Sequence, residues 1–203
     1  MYKVLRVLAI ILVKLWFRFT VVGKENIPET AAVLVANHAS MFDPVILGVA
    51  VNRPVHFMAK AELFRTPVSS WFFGKLHAFP VRRGEFDRNA IRSALEVLAH
   101  GQLLGIFPEG TRNKGEELLP LHSGAALLAS RAQAPIVPIV IKGSGKYRFR
   151  QRIEVLIGSP IIPEGGKRVP KEELARINDQ ILTQFTVLNQ QEFGYRARIE
   201  TRK

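Results

Sequence analysis

Apolar positions recur along this chain with two spacings, and their alternation outlines the fold. Residues 2–19, YKVLRVLAIILVKLWFRF, advance as a helix. At about 100° per residue, Lys3, Arg6, Lys14 and Arg18 fall within about a third of the circumference, and Leu5, Leu8, Ile11, Leu12, Leu15, Trp16 and Phe19 cover most of the rest. Residues 21–28 read as a short strand and turn, and 31–36 form a continuous apolar run, as a buried strand requires. A helical pattern over 44–51 and a strand over 55–59 follow. The stretch 67–76, PVSSWFFGKL, is apolar, aromatic and helical in pattern. Residues 86–100 make an amphipathic helix with Ile91, Leu95 and Leu98 on one side and Arg88 and Arg92 elsewhere, and Gly101 ends it. A buried strand over 103–107, a polar loop over 108–121, a helix over 122–131 and strands over 136–141 and 153–157 lead to a closing helix over 170–188, with Pro170 near its start.

Apolar strands alternating with helices predict an α/β fold, a mostly parallel central sheet covered by helices on both faces. In such sheets ligands sit beyond the carboxyl ends of the strands. Pro138, inside a predicted strand, implies an edge or a bulge. No repeat, low-complexity tract or linker divides the chain, so residues 21–203 read as one domain behind an N-terminal helical segment, 1–20.

Composition narrows the function. The 29 basic and 17 acidic residues give a net charge of +12, which draws the chain to polyanions, either nucleic acid or anionic lipid. The N-terminal helix favours lipid. Its longest charge-free run, 7–13, is too short to cross a bilayer, which needs about 20 apolar residues. A basic stripe beside an apolar face with a Trp suits a helix lying in the headgroup plane. Lys14 interrupts what would be the apolar region of a signal peptide, and no small-residue cleavage site follows. An anionic membrane surface is therefore the expected partner, with the protein peripheral or monotopic on the cytoplasmic face of the cell membrane. No nucleic acid is expected, because the chain has neither an RNA-binding aromatic signature nor a zinc finger, and its basic residues are spread along its length, with the loop 142–151 and the tail 196–203 the most basic. The absence of Cys excludes disulfides and a thiol nucleophile. There is no Gly-x-Ser-x-Gly elbow, no phosphate-binding glycine motif and no metal-ligand spacing among the five His, so neither a metal nor a cofactor is expected.

Chemistry-bearing residues cluster just after the apolar strands. Residues 37–44, NHASMFDP, place His38 and Asp43 five apart, a poor spacing on a regular helix but one that a strand-to-helix turn can close. A carboxylate holding the imidazole N–H fixes its tautomer, and the free nitrogen can take a proton from a hydroxyl. The same residues also read as a helix N-cap, Asp43, followed by Pro44 at the first helical position and a turn histidine. Residues 107–112, FPEGTR, set Glu109 and Arg112 in a Gly-containing loop, where they can face one ligand or pair with each other. Residues 79–84, FPVRRG, carry Arg82 and Arg83 at a further strand end, as a phosphate site or a solvated edge.

In this order NHASMFDP, FPVRRG, FPEGTR and APIVPIV resemble the four motifs of the glycerolipid acyltransferase family, which includes 1-acylglycerol-3-phosphate and glycerol-3-phosphate acyltransferases. The resemblance covers residues 37–140, about half the chain. It implies that His38 is a general base and Asp43 its partner, and that Arg82, Glu109, Gly110, Thr111 and Arg112 bind a phosphorylated acceptor. It also implies that Lys60, in AKAELF, lies near the site and steadies the oxyanion, and that Ile136 and Val137 line the acyl side. The chain departs from the family where Lys is frequent and it has His122, and in the residues around Arg82. The implied activity moves a fatty acyl group from an acyl thioester donor, acyl-CoA or acyl carrier protein, to the sn-2 hydroxyl of 1-acylglycerol 3-phosphate, giving phosphatidic acid. Another lysolipid or glycerol 3-phosphate is the alternative acceptor. A non-catalytic lipid-binding protein of the membrane surface is the alternative of another class.

Overall fold

The computed structural model describes residues 2–82, 87–113, 115, 119–145, 148–166 and 168–190. Arg83, Gly84 and the basic tail 196–203 lie outside the described residues, as does part of the basic loop 142–151. Among the described residues, β1 (Arg18–Val22), β2 (Ala32–Ala36), β3 (Val55–Lys60), β4 (Ala78–Val81), β5 (Leu103–Ile106), β6 (Ile136–Lys142) and β7 (Arg152–Ile157) form one sheet in the order β1-β7-β6-β2-β5-β3-β4. β6, β2, β5, β3 and β4 run parallel, whereas β7 is antiparallel to β6 and carries β1 parallel to itself. The sheet is thus mostly parallel, and the carboxyl ends of five strands open on one edge.

Side chains alternate between the two faces along each strand. Leu34, Ala36 and Leu103 join a core with Ile46 and Leu47 of α2 (Asp43–Ala50) and Val13 of α1 (Tyr2–Trp16). Val33, Val35 and Leu104 join a second core on the opposite face. It is built with Ala94 and Leu98 of α4 (Arg88–Ala99), Leu128 of α5 (Gly124–Ala132), and Ile177, Ile181 and Phe185 of α6 (Lys171–Gln190). Burial on both faces is the reason these strands read as unbroken apolar runs. A further helix, α3 (Pro67–Lys75), joins β3 to β4.

Three expectations are corrected here. The helical periodicity extends to Phe19, but α1 ends at Trp16 and residues 18–22 pair with β7, so the first sheet strand begins inside the segment assigned to the N-terminal helix. Backbone pairing to a strand more than a hundred residues away overrides the local period. Arg6 does not belong to an outward basic stripe, because its guanidinium donates to the carbonyls of Gly48 and Val51 at the C-terminal end of α2, a natural place for a cation. Pro138 is not at an edge, since β6 lies between β2 and β7. It does face a bulge: from Val140↔Leu156 to Ile136↔Ile161, β6 advances four residues while its partner advances five, so the extra residue lies on the partner.

Candidate active site

The carboxyl end of β2 carries the first cluster. Asn37 fastens this strand end to its neighbour, with Oδ1 accepting from the Ile141 N–H at 2.7 Å and Nδ2 donating to the Ile141 carbonyl at 3.2 Å. The chain then turns, and His38 Nδ1 lies 3.0 Å from Asp43 Oδ2, with both residues buried. A carboxylate only accepts, so Nδ1 carries the proton and Nε2 presents its lone pair. Nε2 has no hydrogen bond among the described residues.

Asp43 is not the N-cap of α2 but its first residue, and its carboxylate is turned backward. Oδ2 also accepts the N–H groups of Ala39 at 2.8 Å and Ser40 at 2.7 Å. Three donors on one oxygen, with the helix N-terminus behind it, suit a buried carboxylate. Oδ1 is buried without a partner.

The loop after β5 closes over this turn. The buried Glu109 accepts the His38 backbone N–H on Oε1 at 2.9 Å, and the Asn113 N–H donates to the His38 carbonyl at 2.6 Å. Glu109 Oε2 is buried and unpartnered. No Glu109–Arg112 ion pair exists among the described residues, so the reading of FPEGTR as a loop salt bridge falls away. Gly110 has φ +66°, and a Cβ there would lie 2.8 Å from the His122 ring, which covers it. Thr111 and Arg112 are exposed.

Lys60 and Arg82 stand further along the same edge, at the ends of β3 and β4. β3 is two strand positions from β2 and β4 three, about 10 and 14 Å by strand spacing. Lys60 pairs with Glu62 at 3.1 Å, with both side chains exposed. An exposed pair of this kind is held only weakly, so it leaves the ammonium free to turn to a ligand. The Arg82 side chain is exposed, while its backbone N–H donates to Asp87 Oδ2 at 3.0 Å. This N–H is the first of the donors that hold the Asp87 carboxyl below its usual range. Ile136 and Val137 are both fully buried, on opposite faces of the sheet.

Two residues that sequence reasoning did not single out support His38. Its ring stacks on Phe107, with centroids 4.3 Å apart, and Phe107 lies 6.3 Å from the nearly parallel ring of Phe57. Phe57 has room only because residue 105 is glycine, since a Cβ there would lie 2.4 Å from its ring. An isolated Gly inside an apolar strand pattern is the signal that marks such a close approach. Gly105→Ala is expected to displace this stack and lower kcat roughly tenfold, in line with the steep cost of small misplacements at a reacting centre, while KM for the acceptor changes little. Steady-state kinetics check this, and an unaltered kcat would show that the stack does not position His38. Two half-buried imidazoles are of a different kind. His56 and His77 stack on each other at 4.6 Å, and burial holds both below the usual imidazole range.

Comparison with known proteins assigns the family. The acyltransferase family model matches residues 18–142. The 1-acyl-sn-glycerol-3-phosphate acyltransferase of Bacillus subtilis (strain 168) is 35% identical over 167 residues, covering 79% of this chain and 83% of that protein. The enzyme of the same name from Streptococcus pneumoniae is 30% identical, and the match covers 78% of this chain and 61% of that protein. The crystal structure of the 1-acyl-sn-glycerophosphate acyltransferase PlsC from Thermotoga maritima superposes with a TM-score of 0.73 at 26% identity, covering 93% of this chain and 80% of that one. A family-model match over more than half its length, and a relative 35% identical over 79% of the chain, place this chain in the acyltransferase family.

Proposed function

We propose that this enzyme transfers a fatty acyl group from acyl-CoA or acyl carrier protein to the sn-2 hydroxyl of 1-acylglycerol 3-phosphate, forming phosphatidic acid for phospholipid synthesis. The observation that carries this reading is the His38–Asp43 contact, with Nε2 free, in a chain whose relatives bear that activity in their names. His38 Nε2 takes the proton of the acceptor hydroxyl as its oxygen attacks the thioester carbonyl carbon. Asp43 stabilises the imidazolium so formed. The tetrahedral oxyanion then collapses, the carbon–sulfur bond breaks, and the imidazolium proton goes to the leaving thiolate. A thioester is already activated, so the step calls for neither a metal nor a covalent acyl-enzyme. An acceptor panel presented with one acyl-CoA, with products weighed by mass spectrometry, tests the assignment. Phosphatidic acid as the main product supports it, whereas a different acylated lipid would reassign the acceptor, and acceptor-independent thiol release would remove it.

Arg82 and Arg112 are assigned to the acceptor phosphate, because both are exposed guanidiniums at the edge that carries His38 and a dianion calls for such groups. Changing either to Ala is expected to raise the acceptor KM by about tenfold, the loss of one charge-assisted contact of roughly 1.5 kcal/mol, with the donor KM little changed. If the donor KM moved instead, the arginines would serve the donor.

The membrane side of the proposal is peripheral attachment on the cytoplasmic face. No helix among the described residues is long and apolar enough to cross a bilayer. α1 turns a narrow stripe with Ala9, Ile10 and Val13 to the core and leaves Val4, Val7, Leu8, Ile11, Leu12, Leu15 and Trp16 exposed. That outward face supports an interfacial helix.

A further inference from the structure

α3 is a well-started helix with no fully buried residue, its Phe73 half-buried against Phe64. Thr66 and Ser69 form a reciprocal capping box and Pro67 occupies its first turn, so its N-terminal boundary is set locally. Yet no residue of α3 is buried, and Val68, Trp71 and Phe72 stand 76%, 56% and 43% exposed. Their three- and four-residue spacings put them on one side of the helix. A packed helix of a soluble domain does the reverse. The catalytic turn shows the same anomaly. Met41 and Phe42, between His38 and Asp43, are 68% and 51% exposed, and Val45 in the first turn of α2 is exposed beside them.

These patches lie on elements that neighbour α1. α1 packs along α2, and at its N-terminal end the Tyr2 ring stacks at 4.3 Å on His77, two residues beyond the end of α3. Exposed apolar residues thus lie on three neighbouring segments, α1, the turn that carries the His38–Asp43 pair, and α3. Isolated exposed apolar residues need no explanation, but a surface of this extent marks an interaction site.

Charge selects the occupant. Between residues 60 and 82 the chain carries Lys60, Arg65, Lys75 and Arg82 but a single acid, Glu62, which is already paired with Lys60. A second copy meeting this face across a two-fold axis would set like charges against one another, which is unfavourable. Anionic headgroups at the rim of an apolar surface are complementary to it, and Trp is at home at that depth. The geometry also gives α3 a purpose. A single interfacial helix is a line of contact, about which the domain can roll. A second apolar segment off that line fixes the roll and holds the His38 turn against the leaflet from which a lysolipid presents its glycerol hydroxyl.

We propose that α3 and the Met41–Phe42 turn are a second bilayer-docking element that fixes the orientation of the active site on an anionic leaflet. This inference rests on the membrane attachment proposed above for α1, and the experiment separates the two. The chain has two Trp, Trp16 on α1 and Trp71 on α3. Full-length Trp16→Phe and Trp71→Phe proteins each report one element. With vesicles of phosphatidylcholine and phosphatidylglycerol, Trp71 emission in the Trp16→Phe protein is expected to shift to the blue and to be quenched at least twofold by bromine-labelled phosphatidylcholine. Quenching of Trp16 without quenching of Trp71 would overturn the proposal and leave α1 as the sole contact. Absence of quenching in both proteins would overturn the proposal together with the attachment of α1. A blue shift of Trp71 that depends on protein concentration and occurs without vesicles would assign the face to a second copy. In kinetics, Val68→Glu is expected to lower the rate on vesicle-borne acceptor about tenfold and to leave the rate on a short-chain, monomeric acceptor unchanged. An equal loss on both, or on neither, would count against docking through α3.

Discussion

Asp43→Asn is expected to leave the protein folded and to lower kcat by about 10²–10³-fold. The structure explains both halves of this expectation. Asp43 Oδ2 accepts from His38 Nδ1 and from the backbone N–H groups of Ala39 and Ser40. In the variant the amide oxygen must take that place, because an NH2 there would face three donors. The amide nitrogen then occupies the site of Oδ1, which is buried without a partner. A buried donor left unsatisfied costs about 1–3 kcal/mol, so melting falls modestly. With the oxygen pinned by two backbone N–H groups, Nδ1 keeps its proton, and the variant does not adopt the wrong tautomer. In serine proteases a comparable change loses about 10⁴ through tautomer and charge together, so loss of charge alone gives a smaller figure. His38→Ala removes the base itself and is expected to lower kcat by at least as much, and the double variant should be little worse than His38→Ala because the two residues act as a unit. Melting and acyl-transfer rates on the same preparations decide the matter. A normal rate in Asp43→Asn would reduce Asp43 to a structural brace of the turn.

The elements of the fold were legible because strands buried on both faces read as apolar runs and the helices between them keep a 3.6-residue period. What was not legible depends on partners distant in sequence. Residues 18 and 19 continue the helical pattern of α1, and only pairing with β7 makes them the start of a strand. Arg6 looks like part of a lipid-facing stripe until α2 brings the carbonyls of Gly48 and Val51 to it. The His38–Asp43 contact was legible as residue types at a suggestive spacing. The cap reading of Asp43 failed because the direction of a carboxylate at a helix start, forward to the helix or back to the turn, is decided by the N–H groups of residues 39 and 40. The phenylalanine stack under His38 left one trace in the sequence, the glycine at 105. For Glu109 the sequence shows a charge and suggests a ligand, whereas its hold on the His38 N–H, which only the assembled loops create, suggests a further task.

That task is the second large effect. Glu109 Oε1 accepts the His38 backbone N–H at 2.9 Å, joining the β2 turn to the β5 loop. A carboxylate would repel the acceptor phosphate, so its contribution to acceptor binding can reach only the hydroxyls. As a positioning residue it acts through the backbone of His38. Glu109→Ala deletes the acceptor, leaves a buried N–H unsatisfied at about 1–3 kcal/mol, and frees the His38 turn to shift. Misplacement of a base by an ångström or so costs about 10²-fold, so kcat is expected to fall by that order while the acceptor KM changes by less than about threefold. Glu109→Gln supplies the discriminating readout. Its amide oxygen can still accept the His38 N–H, so most of the kcat is expected to return, although the charge is gone. A role in binding substrate through the charge predicts the opposite pattern, a raised acceptor KM in both variants with no rescue by Gln. Steady-state kinetics on the two proteins, with melting curves to confirm that each is folded, separate the readings, and a Gln variant as impaired as Ala would show that the carboxylate charge, not its hold on the His38 backbone, is what the reaction needs.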